Sequence, residues 1–109
     1  MYNIDAFNKS EIDEILKGVC VIEVSGESCA NCLTLMPILD RLVSPRKNVK
    51  LVHIEADPTT EDLIKRFEVR QAPTILITVD GVIAERVVGF QPEEILELWL
   101  DDKLEKLVK

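Results

Sequence analysis

Apolar positions along the chain change period several times, and each change predicts an element. Ile12, Ile15 and Leu16 fall at helical spacing. Ser10 reads as the N-cap of that helix, with Asp13 three residues on as a variant capping box, and Gly18 as its stop. Val19-Cys20-Val21-Ile22-Glu23-Val24 is short, β-branched and almost wholly apolar, which predicts a strand buried on both faces. From Cys29 to Val43, Leu33, Met36, Leu39 and Leu42 recur at helical spacing. Pro37 predicts a kink in this helix, and Pro45 ends it. Val49 to Ala56 reads as a strand closed by Asp57-Pro58, and Thr60 to Phe67 as a short helix capped by Thr59 or Thr60. Thr74 to Val79 and Val82 to Val88 read as a hairpin, because Asp80-Gly81 suits the tight turn between them. Gly89 breaks the second of these strands, and Pro92 opens a long amphipathic helix. Its apolar residues are Ile95, Leu96, Leu98, Trp99, Leu104 and Leu107, and Trp99 with the leucines reads as a core stripe.

The predicted order is α-β-α-β-α-β-β-α. Its β-α-β portion implies a right-handed crossover with parallel pairing, and the late hairpin adds antiparallel strands. The expected fold class is α/β, a mixed sheet of about four strands with helices on both faces. With 109 residues the chain is read as one domain spanning 1–109. Hydrophobic residues at 47% and charged residues at 30% fit a folded globule. The balance of 13 basic against 20 acidic residues gives a net charge of −7. That charge argues against nucleic acid as a partner, since phosphate binding needs clustered cations, and less strongly against anionic membrane surfaces. Met1 to Cys20 carries no signal-like apolar stretch, and no apolar run is long enough to span a bilayer. The expected location is the cytoplasm.

Candidate chemistry starts with the cysteines. There are three, an odd number and too few for a disulfide scaffold. Cys29 and Cys32 form a C-x-x-C pair directly after a predicted buried strand and at the start of a helix. The first turn of a helix presents free N–H groups and the positive end of the dipole, which stabilises a thiolate at Cys29. Helical geometry places the two Cα atoms ~5 Å apart, within disulfide range. Cys29 at the helix tip is the candidate attacking thiol, and Cys32, one turn inward, the candidate resolving thiol. Two other readings stand beside this one: incidental packing, or half of a zinc site, for which only Cys20 and His53 offer further ligands. Three cysteines cannot ligate an iron–sulfur cluster alone.

From these residues onward the chain resembles the thioredoxin family over nearly its whole length. A buried strand leads to Cys29-x-x-Cys32, and Pro37 follows within the same helix. Val69-Arg70-Gln71-Ala72-Pro73-Thr74 is similar to the family's V-R-x-x-P-T segment, and Val87-Val88-Gly89, after the hairpin, to its V-x-G. The resemblance implies a cis Pro73 facing the cysteines, with the backbone of Ala72 available to pair with a substrate strand. Ser28 and Gly89 complete the implied substrate-binding set. The resemblance further implies a thiol–disulfide oxidoreductase with no bound cofactor. Electrons would come from a thioredoxin-reductase-like donor or a small dithiol and pass to protein disulfides.

Glu23 stands six residues before Cys29, where the family usually has a buried Asp that helps move the resolving thiol's proton. Burial in an apolar strand raises a carboxyl's pKa and makes it a usable proton acceptor. The alternative is that Glu23 points to solvent. His53 falls near the family's buried Lys, and is either coupled to Glu23 or a partly exposed strand residue. Reductive members read W-C-G-P-C, whereas Ser28 and Ala30-Asn31 replace the Trp and the Gly-Pro here. Without that Pro a backbone N–H returns near the sulfurs, which predicts a stabilised thiolate and a raised reduction potential. The same departures motivate a second function class, a thioredoxin-fold binding or adaptor module with little redox turnover. A sensor using the cysteines is a third. Cys20 reads as a small core residue, Arg46-Lys47 with Lys50 as a solvated loop cluster, and Asp101-Asp102 as a solvent face.

Overall fold

The computed structural model describes residues 1–107. Five strands form one sheet: β1 (Tyr2–Ile4), β2 (Val19–Ser25), β3 (Val49–Glu55), β4 (Thr74–Val79) and β5 (Val82–Val88), in the order β1-β3-β2-β4-β5. Four α-helices flank it: α1 (Ile12–Ile15), α2 (Ala30–Val43), α3 (Glu61–Arg66) and α4 (Glu93–Leu107). β1 and β2 run parallel to β3, and β4 runs antiparallel to both β2 and β5. The sheet is mixed as expected, with five strands instead of about four. The extra one is β1, whose pairing Asn3↔His53 gives a short polar segment its place at the sheet edge.

β2 lies at the centre and is buried along its whole length. Successive side chains alternate between the two faces of a strand. Val19 and Val21 join Leu51, Ile75 and Ile77 under Leu35 and Leu39 of α2 and Leu96 and Leu100 of α4. Cys20, Ile22 and Val24 join Val52, Ile54 and Leu76 against α1 and α3. Each face is therefore a separate apolar layer, and β2, β3 and β4 each contribute to both.

Local details differ from expectation in five places. Ser10 does not cap α1: it lies inside a 3₁₀ turn, Lys9–Glu11, that leads into the helix. Thr60 takes the N-cap position of α3 without a side-chain cap bond, and a 3₁₀ turn before it, Pro58–Thr60, is capped by Asp57. The Asp57 side chain accepts from the Thr59 N–H, and Thr60 Oγ1 accepts in return from the Asp57 N–H at 3.2 Å, closing a capping box. In α2 the buried residues are Cys32, Leu35, Leu39, Leu42 and Val43, which leaves Leu33 exposed. In α4 Leu96, Leu100 and Leu104 are buried, while Ile95 and Leu98 face outward. The basic cluster is engaged rather than solvated. Arg46 pairs with Asp101 at 2.6 Å, and Lys50 Nζ donates to the Ile15 and Lys17 carbonyls at the end of α1. The Asp80-Gly81 turn has positive φ at both residues, as a type I′ hairpin requires.

Candidate functional site

A short loop, residues 26–28, carries the chain from the end of β2 to the start of α2. Ser28 adopts a φ of 57°, a left-handed conformation that is uncommon outside glycine. Cys29 follows as the N-cap of α2, and its Sγ accepts from the Cys32 N–H at 3.2 Å. Cys29 and Cys32 are joined as a disulfide with their Cα atoms 5.3 Å apart. Cys29 is half-buried, while Cys32 is only 2% exposed. The two sulfurs thus differ in access by one turn of helix. Beside them is an open cavity of about 330 Å³, whose wall includes Gly26, Ser28, Leu33 and Glu55. Leu33 is 78% exposed and gives this rim an apolar side chain. The spacing of leucines assigned it to the core, but a repeat of three drifts around a helix of 3.6 residues per turn and leaves the buried face by Leu33.

A second loop meets the first. The Ala72–Pro73 peptide bond is cis, with Ala72 exposed and Pro73 buried. Gly89 donates its N–H to the Pro73 carbonyl at 2.8 Å, so β5 holds this loop from the side. A Cβ placed on Gly26 would lie 3.0 Å from Ala72 Cβ, so the cysteine-bearing loop and the cis-proline loop are in contact. The loop that carries Ser28 and leads to Cys29 and Cys32 at the start of α2 thereby adjoins the loop of Ala72 and Pro73, to which Gly89 after β5 is bonded.

Glu23 has no exposed surface. By alternation along β2 it points to the face that α2 covers, one step on from Val21. Ser25 Oγ lies 2.7 and 2.8 Å from its two carboxyl oxygens. His53 Nε2 lies 3.1 Å from Ser25 Oγ and 3.4 Å from Glu23 Oε1. The other ring nitrogen lies 3.1 Å from Asn3 Oδ1, and Glu55 Oε2 is 3.7 Å from Nε2. Burial pushes the Glu23 carboxyl up to about 7, against the favourable bond from Ser25 and with help from the Glu55 charge. Burial also holds His53 below its ordinary value, with Glu55 pulling the other way. His53 thus stands within reach of Glu23 while keeping 22% of its side chain exposed. Ser25, Asn3 and Glu55 were missed in the sequence. The register Glu23↔His53↔Asn3, which brings three strands together, has no local signature.

Cys20 is a free, buried thiol on the opposite face, among the α1 and α3 contacts, with its pKa raised by burial. It is separated from the other two cysteines by the sheet. Among the described residues no group of three or more His, Cys, Asp or Glu could hold a metal ion. No helix among them is long and apolar enough to cross a membrane.

Comparison with known proteins agrees with this geometry. The family model Thioredoxin matches residues 3–102. The thioredoxin of Staphylococcus haemolyticus is 31% identical over 99 residues, covering 87% of this chain and 92% of its own. A thioredoxin from Halobacterium salinarum superimposes with a TM-score of 0.78 at 23% identity, covering 93% of this chain and 88% of the other. The complex of ferredoxin:thioredoxin reductase with thioredoxin f2 contains a chain similar at a TM-score of 0.77 and 16% identity, with 94% of each covered. The chain belongs to the thioredoxin family and is a thiol–disulfide oxidoreductase built around Cys29 and Cys32.

Proposed function

We propose that this protein exchanges electrons with protein disulfides, Cys29 attacking and Cys32 resolving. The Cys29 thiolate attacks one sulfur of the substrate disulfide and releases the other as a thiolate. Cys32 then gives up its proton and attacks Cys29 Sγ, closing the Cys29–Cys32 disulfide and releasing the second substrate thiol. Two electrons pass to the substrate. The observation that carries these roles is the difference in access, Cys29 half-buried at the helix tip and Cys32 shut in behind it.

Glu23 is the proton acceptor for Cys32 in this reading. Its support is its burial beneath α2 and a pKa raised to about 7, which suits proton transfer at neutral pH. Ala72 and Pro73 orient the substrate strand beside the sulfurs, and Ser28 and Gly89 border it. The exposed Leu33 offers apolar contact area on the same rim. A reductase-type donor in the cytoplasm returns the electrons. The similarity to a chain in complex with ferredoxin:thioredoxin reductase supports a donor of that kind.

The test combines trapping with a potential. The Cys32→Ser variant should accumulate a mixed disulfide with substrate, and Cys29→Ser should lose turnover by roughly a thousandfold or more. Equilibration against a thiol buffer should give a potential less negative than the ~−270 mV of thioredoxin, reflecting Ala30-Asn31. Binding that survives loss of both cysteines, with no reversible couple in the parent, would instead favour an adaptor module.

A further inference from the structure

We propose that Ser25 and His53 form the route by which the buried Glu23 carboxyl returns its proton to solvent during exchange. This deepens the reading of Glu23 as the proton acceptor and rests on it. An acceptor with no exposed surface poses a physical problem, because the proton it receives from Cys32 must leave before the next cycle. Its hydrogen-bonding neighbour on this face is Ser25, itself 5% exposed, and beyond Ser25 stands His53, whose ring reaches the surface beside the exposed Asn3.

The contacts define a proton inventory. With Glu23 protonated, its O–H donates to Ser25 Oγ and the Ser25 O–H donates to His53 Nε2. The His53 Nδ1–H then donates to Asn3 Oδ1, 3.1 Å away. Every donor in the chain is satisfied with both groups neutral. Discharge moves two protons one step each: Glu23's proton passes to Ser25 Oγ as the Ser25 proton passes to His53 Nε2. The products are a carboxylate, an unchanged hydroxyl and an imidazolium. The imidazolium then releases a ring proton to water. No bond between heavy atoms changes and no redox partner is needed. The serine is bifunctional here because its one hydroxyl lies within 2.8 Å of both carboxyl oxygens and 3.1 Å of the ring.

Charges around His53 fit a transient cation. On β3, Glu55 Oε2 is 3.7 Å from Nε2, and on β2 Glu23 becomes anionic as the ring charges. β1 contributes the neutral Asn3. On the β4 side Glu23 pairs with the apolar Ile75. Desolvation disfavours the imidazolium at rest and raises the Glu23 pKa to about 7, so near neutral pH the carboxyl is available in both forms. Ser25 and His53 act through Glu23 and are positioning residues.

The experiment is stopped-flow reduction of a protein disulfide by the reduced parent, Ser25→Ala, His53→Gln, His53→Gly and Glu23→Gln, across pH and in light and heavy water. Ser25→Ala and each His53 variant should slow exchange roughly tenfold near neutral pH and flatten the limb near pH 7. Free imidazole should restore His53→Gly in a saturable way and leave Ser25→Ala unmoved, since the hydroxyl step is still missing. If Glu23→Gln is slow while Ser25→Ala and the His53 variants keep the parent rate, pH profile and isotope effect, the relay is wrong and Glu23 stands. If Glu23→Gln itself matches the parent, the proton-acceptor reading falls and the relay with it. Slowing of His53→Gly that imidazole does not relieve assigns His53 to packing and also overturns the relay. If Ser25→Ala does not fold, the His53 pair and the rescue decide.

Discussion

The two faces of β2 use the same backbone to opposite ends. On the face toward α1 and α3, Cys20, Ile22 and Val24 are all fully buried in an apolar layer. On the face toward α2 and α4 the strand begins the same way, with Val19 and Val21, and then turns polar at Glu23 and Ser25. The change coincides with the carboxyl end of the strand, from which the chain passes directly to Cys29. Both layers exclude water, but only one carries a proton-bearing group near the sulfurs. Burial by itself supports the fold. Burial of a carboxyl with a hydroxyl and an imidazole in reach supplies a titratable group at neutral pH.

Substitutions on alternate residues should separate these roles. Ile22→Ala, on the dry face, should lower stability by about 3–4 kcal/mol in denaturant unfolding while leaving the pH profile of exchange in place. A shifted profile would mean that the layers are not independent. Glu23→Gln should act in the reverse sense. Its folded pKa of about 7 lies above the ordinary 4.5, so between these values the folded protein holds a proton that the unfolded chain has lost. Unfolding free energy should therefore fall as pH rises from 4.5 to 7, by at most about 3 kcal/mol, and level off above 7. His53, held below 6.5 by burial, works the other way, so the parent-minus-variant difference is the quantity to measure. A flat difference would show that Glu23 does not titrate in this window. Cys20→Ala should cost about 1 kcal/mol and leave turnover unchanged, because its sulfur faces the other layer. Lost turnover would tie Cys20 to the chemistry.

How much of this was legible depended on how local the signal was. The hairpin at Asp80-Gly81 and the strand Thr74–Val79 were read at their observed bounds, since turn chemistry and β-branched runs are written in adjacent residues. The cysteine pair was legible for the same reason. β1 was not: only Ile4 of its three residues is buried, and parallel pairing with β3 is what makes it a strand. Leu33 was taken for core and Leu35 passed over because a strict three-residue spacing drifts about 60° per step around a helix, so a stripe correct at Leu39 and Leu42 has left the buried face by Leu33. Glu23 was singled out from its place in the strand and from the family resemblance. Ser25, Asn3 and Glu55 could not be, because their roles arise from the register of three strands distant in sequence.

The close approach of Gly26 to Ala72 couples two positions that belong to different halves of the chain. One half delivers the sulfurs and the other the proline loop. At 3.0 Å there is room for one methyl group between them, and Ala72 already supplies it. A side chain added at 26 would have to press Ala72 back by a few tenths of an ångström, or be matched by a smaller residue at 72. Positions 26 and 72 thus behave as a single volume shared between two loops. The fit of the two loops against each other follows that sum rather than either residue alone.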